Sequence, residues 1–273
     1  MPRTIVITGA SDGIGAAAAR QLHAAGEEVV LVGRDPRKTA AIASELGVVS
    51  YTADYGVLAE VRGLAADLRA HHPRIDVLAN NAGGVFGDRS LTVDGFETTF
   101  QVNHLGGFLL TNLLLDRLIE SEASVIQTSS LAARRFSRFD IDDLQGARSY
   151  TASRAYGNAK LANILFTKEL DRRYGGEGVS AVAFHPGAVA TSFAASSRGA
   201  WRFLYTNPIA KHILVSADAG GAHLTWLALG VPGGTWQPGE YYAKDRPAKT
   251  SPVADDPAIA ARLWDESAQM VGL

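Results

Sequence analysis

Tyr156 and Lys160 lie four residues apart in the stretch Ala155-Tyr-Gly-Asn-Ala-Lys-Leu-Ala-Asn163. On a helix, that spacing sets both side chains on one face, one turn apart. A phenol beside an ammonium is an acid–base catalyst in waiting. The positive charge favours the phenolate and lowers a pKa that otherwise lies near ~10. Such a pair also arises by chance in many helices, so the rest of the chain decides whether it does chemistry.

A second set of residues points to a nucleotide. The segment Thr8–Gly15 contains Gly9, Ser11, Asp12, Gly13, Ile14 and Gly15 in a Gly-x-x-x-Gly-x-Gly pattern, between a β-branched run and an alanine-rich stretch. At a strand–helix junction, Gly9 permits a tight turn, Gly13 lets backbone approach a pyrophosphate, and Gly15 lets the helix pack closely. The free N–H groups and positive dipole end of that helix then face the phosphates.

At the end of the second predicted strand stand Gly33, Arg34 and Asp35. A carboxylate at this point would bind the ribose hydroxyls of NAD, whereas an arginine would pair with the 2′-phosphate of NADP. Arg34 offers a planar fork to a phosphate. Asp35-Pro36 reads as an N-cap with a first-turn proline, which removes Asp35 as a ribose ligand. Arg37 and Lys38 add positive charge. NADP(H) is favoured, with NAD(H) as the alternative.

These residues need a scaffold. Apolar runs at Thr4–Thr8, Glu28–Gly33, Val48–Thr52, Ile75–Asn80, Ser124–Ser129 and Val179–His185 read as strands buried on both faces. A last strand is expected near Glu240–Ala243. Helical patterns cover Gly13–Ala25, Arg37–Leu46, Leu58–His71, Val93–Leu118, Ser153–Tyr174 and Asp256–Met270. The alternation predicts an α/β fold: a single Rossmann-type doubly wound parallel sheet with helices on both faces. Residues 1–273 are read as one dinucleotide-binding domain.

Composition narrows the function classes. With 47% hydrophobic and 20% charged residues, the chain has an ordinary globular balance, and a formal net charge of −2 gives no pull toward nucleic acid. It has no cysteine, which removes disulfides and thiol catalysis. No His or carboxylate pair has metal-ligand spacing, so no metal is expected. The N-terminus lacks the layout of a signal peptide, and no apolar run is long enough for a membrane span. A soluble cytoplasmic protein is the expectation.

Six blocks now stand in order: the glycine turn, Asn80-Asn81-Ala82-Gly83, Asn103 in Gln-Val-Asn-His-Leu-Gly, Ser129-Ser130, Tyr156/Lys160 and Pro186-Gly187. Together they resemble the short-chain dehydrogenase/reductase family over essentially the whole chain. Asp94-Gly-Phe-Glu, Val102–Thr111, Lys160–Thr167 and Ala261-Arg-Leu-Trp-Asp are similar to its retinol dehydrogenase and WW-domain oxidoreductase branch. So is a long insertion, residues 133–154, before the catalytic helix.

The resemblance implies a hydride transfer between a nicotinamide cofactor and a carbonyl or alcohol carbon. Tyr156 would be the general acid/base, and Lys160 would tune it and bind the nicotinamide ribose. Ser130 would polarise the substrate oxygen, and Asn103 would hold a water linking Lys160 to solvent. It further implies Asp54 and Tyr55 at the adenine, Asn80, Ala82 and Gly83 near the adenine ribose, and Pro186, Gly187, Val189 and Thr191 around the nicotinamide. His104 and His185 read as packed residues.

The aromatic segment 192–215, with Phe193, Trp201, Phe203 and Tyr205, reads as a substrate lid and suggests an apolar substrate. A homodimer is the expected assembly. A non-catalytic NADP-binding regulatory protein is the alternative from another class, although it has no chemical need for all of Asn103, Ser130, Tyr156 and Lys160. A nucleotide-sugar epimerase or dehydratase is disfavoured because the chain has little room for a C-terminal domain.

Overall fold

The computed structural model describes residues 2–187 and 215–273. Among these, β1 (Thr4–Thr8), β2 (Glu28–Gly33), β3 (Ser50–Thr52), β4 (Val77–Asn80), β5 (Ser124–Thr128), β6 (Ser180–His185), β7 (Tyr241–Ala243) and β8 (Arg246–Pro247) form one sheet in the order β3-β2-β1-β4-β5-β6-β7-β8. All neighbouring pairs run parallel except β7–β8. The expected doubly wound parallel sheet is therefore present. Its last strand turns back through Lys244 and Asp245, both at positive φ, as in a tight two-residue hairpin.

Strands β1, β4 and β5 are buried throughout, because helices cover both faces. One face carries α1 (Gly13–Ala24) and α2 (Pro36–Leu46). The other carries α3 (Leu58–His71), the interrupted helix α4 (Thr98–Phe100) and α5 (Gly106–Leu113), then α6 (Leu115–Glu120), and the long α8 (Ala152–Tyr174). A short α7 (Ala132–Arg135) precedes α8. The C-terminal part supplies α9 (Ala217–Leu229) and α10 (Pro257–Val271). No helix among the described residues is long and apolar enough to cross a membrane.

Two elements differ from the sequence reading. The single helix expected over Val93–Leu118 is broken. Gly95 sits at φ +85°, Leu91 bridges Glu97, and the helix begins only at Thr98, where both Glu97 carboxylate oxygens cap backbone N–H groups at 2.8 Å. A π-helical turn, Gln101–Leu105, then joins α4 to α5. Helix α9 has no counterpart in the prediction. Its Gly220-Gly221 pair argues against a helix on propensity. The reason for it is packing: a Cβ at Gly221 would lie 2.9 Å from Ala17 Cβ and Ala18 N of α1. Smaller differences are at strand ends. β5 stops at Thr128, although Ser129 N still donates to Phe184 O.

The strand order reverses between β1 and β4, so the chain leaves these two strands in opposite directions. That opens a crevice at their carboxyl ends, where open α/β sheets place ligands.

Candidate active site

A cleft of about 560 Å³ occupies this crevice. Gly9, Ser11, Asp12, Gly13, Ile14 and Arg34 line one end, Asp54, Tyr55, Ala82 and Gly83 the middle, and Ser130, Tyr156, Lys160, Pro186 and Gly187 the other. Val189, Thr191, Phe193, Trp201, Phe203 and Tyr205 lie outside the described residues, as does all of the 192–215 segment except Val215.

At the first end, the β1–α1 turn is built as its glycines require. Gly9 and Gly13 hold φ of +67° and +54°. A Cβ on Gly15 would lie 2.3 Å from the Gly9 carbonyl oxygen, so α1 could not start so close to β1 with any side chain there. Asp12 caps α1 by accepting from Gly13 N at 2.7 Å. Asn81, which sequence reasoning passed over, fastens this turn to β4. Its Nδ2 donates to Thr8 O at 3.0 Å and its Oδ1 accepts from Thr128 Oγ1 at 3.2 Å. Asn81, not Asn80, lines the cleft. Asn80 is buried and donates through Nδ2 to Thr111 Oγ1 at 2.8 Å.

The end of β2 has no space for an acid. A Cβ at Gly33 would meet Thr39 Oγ1 at 2.1 Å. Asp35 is turned away as the cap of α2, accepting from Arg37 N at 2.9 Å and Lys38 N at 3.1 Å. Lys38 pairs with Asp12 at 3.2 Å. Arg34 is exposed on the cleft wall and is paired with no carboxylate among the described residues. Asp54 sits beyond β3 and accepts from Gly56 N at 2.8 Å, while the buried Tyr55 ring packs on Gly106.

At the other end, Thr151 caps α8, and Tyr156 and Lys160 follow in its first turns, as the spacing predicts. They are 5% and 2% exposed, so neither is a surface residue. Gly157 lets α7 press onto α8 beside them; a Cβ there would lie 2.8 Å from Ser137 N. Lys160 Nζ lies 5.7 Å from the Tyr156 ring centre and donates to Thr128 O at 3.0 Å. Burial pushes the Lys160 ammonium down to about 7, so it can exchange its proton near neutrality.

The two adjacent serines have separate fates. Ser129 is committed to the scaffold, donating to Lys160 O at 2.7 Å. Ser130 faces the cleft and accepts from Ala132 N at 3.2 Å.

Asn103 stands in the π-turn and does not line the cleft. Its Nδ2 donates to Thr99 O and Gly84 O, both at 2.9 Å, and its Oδ1 accepts from Gly84 N at 3.1 Å. It nevertheless approaches Lys160: a Cβ at Gly83 would lie 2.5 Å from Asn103 Oδ1 and 3.1 Å from Lys160 Nζ. His104 and His185 make packing contacts. Burial drives His104 down to about 4, which keeps it neutral, and His185 Nδ1 accepts from Gly187 N at 3.0 Å.

The insertion, residues 133–154, braces this end. Burial pushes Tyr150 up to about 12, so its hydroxyl stays protonated and donates to Glu97 Oε1 at 3.2 Å, at the cap of α4. Asp140 and Arg148 pair within the insertion at 2.7 Å, and Asp142 pairs with Arg262 of α10. Glu97 and Asn163 were further residues that sequence reasoning did not single out. The signal was a polar residue inside an apolar helical face, since Asn163 sits amid Leu161, Ile164 and Leu165.

Residues 3–200 match the family described as short chain dehydrogenase. The chain is 42% identical to a proposed daunorubicin C-13 ketoreductase, DnrU, of Streptomyces sp. (strain C5), over 99% of this chain and 93% of that protein. It is 36% identical to human retinol dehydrogenase 13, over 99% of this chain and 85% of that protein. A solved structure of an uncharacterised protein from Mycobacterium paratuberculosis superposes with a TM-score of 0.78 at 34% identity, covering 99% and 93% of the two chains. The chain therefore belongs to the short-chain dehydrogenase family of oxidoreductases, on its retinol dehydrogenase-like branch.

Proposed function

We propose that the protein is an NADP(H)-dependent carbonyl reductase or alcohol dehydrogenase acting on an apolar ketone, aldehyde or alcohol. The observation that carries this reading is a single cleft with a glycine turn and Arg34 at one end and Ser130, Tyr156 and Lys160 at the other. The residues suit a dinucleotide of this family. Gly9 and Gly13 hold backbone that side chains rarely adopt, and Gly15 admits no Cβ, so the cradle is open to a pyrophosphate. Arg34 favours a 2′-phosphate, and the crowding at Gly33 removes the acid that would oppose it.

The bound nicotinamide supplies or accepts the hydride. The chain's own residues handle the proton and the charge. Ser130 donates a hydrogen bond to the substrate oxygen and draws negative charge onto it. Tyr156 donates its phenolic proton to that oxygen in the reducing direction and accepts it in the oxidising one. Lys160, when protonated, stabilises the resulting phenolate. Its lowered pKa also lets it pass a proton on, through the side where Asn103 approaches it. Leu131, Phe86 and Phe136 line the cleft near Ser130 and Tyr156 and favour an apolar substrate. Ketone reduction also accords with the name of the Streptomyces relative.

The test is a panel of apolar ketones and aldehydes incubated with NADPH and, separately, NADH. Oxidation of NADPH with at least one ketone, faster than with NADH, is expected. NADPH binding with no turnover across the panel would favour a nucleotide-binding regulatory protein instead.

A further inference from the structure

We propose that Asn163 is a positioning residue that ties Lys160 to the Asn103 turn through two backbone carbonyls, one of which it shares with the lysine. The inference rests on the reading of Tyr156 and Lys160 given above. Asn163 is one turn along α8 from Lys160 and buried. Its Nδ2 donates to Asn103 O at 3.0 Å and to Thr128 O at 3.3 Å. Thr128 O is also the acceptor of Lys160 Nζ. One carboxamide therefore shares the lysine's acceptor and links that acceptor to the π-turn. The turn itself is an interruption of the kind that recurs at functional sites.

The orientation of the Asn163 amide is enforced from the far side. Both Nδ2 contacts are to acceptors, so Oδ1 must accept. It faces His104 Nδ1 at 3.3 Å, and His104 Nε2 lies 3.0 Å from Ser267 Oγ in α10. A neutral His104 satisfies both contacts in one tautomer: Nδ1–H donates to Asn163, and Nε2 accepts from Ser267. A doubly protonated ring would leave Nε2–H facing a hydroxyl that must then turn to accept. Ser267, His104 and Asn163 thus form a buried chain from the C-terminal helix to the lysine, outside the cleft.

Among the described residues, few titratable groups surround Lys160. Tyr156 faces it from α8 and His104 from the π-turn. β5 and the turn after β4 contribute the Thr128 carbonyl and Gly83 backbone. Among the described residues no carboxylate shifts Lys160; burial alone does. Removing the Asn163 donors leaves Thr128 O to the lysine alone. That strengthens the bond to the ammonium form and draws Nζ toward β5, away from Tyr156.

The test is Asn163→Leu in the full chain, read in two ways. The first is the midpoint of the Lys160 side-chain nitrogen resonance in ligand-free protein carrying isotope-labelled lysine. The second is kcat and its pH profile alongside NADPH affinity. We expect the Lys160 midpoint to rise by about one unit. We also expect kcat to fall roughly tenfold to a hundredfold, as small misplacements of reacting groups do, with NADPH affinity within about twofold. A lower melting temperature with an unmoved lysine midpoint and unchanged pH profile would overturn the proposal. If Asn163→Leu does not fold, Asn163→Ser, which keeps one donor, should show the same shift at smaller size. Failure of both to fold would make Asn163 a stability residue and overturn it too. Wild-type protein without turnover on any ketone would sink the oxidoreductase reading, and the lysine titration would still decide the role of Asn163.

Discussion

The two ends of the cleft are built by different means. The end proposed to hold the nucleotide is made of backbone: glycines at positive φ, a helix start, and one exposed arginine on the cleft wall. The end proposed to be catalytic is made of buried side chains held by hydrogen bonds between distant parts of the chain, with Tyr156 and Lys160 almost fully enclosed. The first end can read a phosphate with few partners, because backbone N–H groups and a guanidinium need no precise environment. The second end, in the proposed role, must set protonation states, and burial with fixed partners does that. The difference predicts that substitutions at one end change affinity and at the other change rate.

The sharpest separation should come from Tyr156→Phe. It removes the proton donor without changing the fit of the ring beside Val85 and Ala132. Hydride transfer should drop by about a thousandfold, while NADPH affinity from fluorescence titration stays within about twofold. A comparable loss of affinity would break the comparison.

Lys160 gives the next effect, in stability. Burial pushes its ammonium down to about 7 from the ordinary lysine value of 10.5, which it regains on unfolding. Between those values the unfolded chain binds more protons, so stability rises as pH increases from about 7 to about 10.5. The cost of burying the ammonium is fully present below pH 7 and gone above 10.5. Lys160→Met should therefore stabilise the ligand-free protein at pH 7 by on the order of 3 kcal/mol and flatten this slope in denaturant titrations across that range. Equal slopes in the two proteins would mean that the lysine is not buried as described.

Arg34→Ala should have the smallest effect and the most selective one. Being exposed, Arg34 acts through solvent-screened charge, so NADPH affinity should weaken roughly tenfold and NADH affinity should hardly move. Equal losses for both cofactors would remove Arg34 from the 2′-phosphate.

The same contrast explains what the sequence made visible. Strands β1 and β2, the glycine turn, the Asp35-Pro36 cap and the Tyr156/Lys160 face could be read because each depends on residues close in the chain. The residues proposed for chemistry, Asn103 and Ser130 among them, are named largely through family resemblance. Their supports are not. Asn163 reaches Asn103 across 60 positions, and Ser267 reaches His104 across 163. Nothing local marks such partners. Helix α9 was hidden for a related reason, since its glycines serve contact with α1 and weaken every local signal. The break in the Val93–Leu118 helix was hidden because its apolar pattern continues through the π-turn that turns Asn103 toward Gly84.

If the proposal holds, one dinucleotide spans both ends of this cleft. A crystal structure of the wild-type protein with NADPH tests it most directly. The expected result is the 2′-phosphate against the Arg34 guanidinium, the pyrophosphate on the Gly9–Gly15 turn, and the nicotinamide beside Tyr156 and Lys160. A 2′-phosphate turned away from Arg34, or a nicotinamide ring outside the reach of Tyr156, would contradict it.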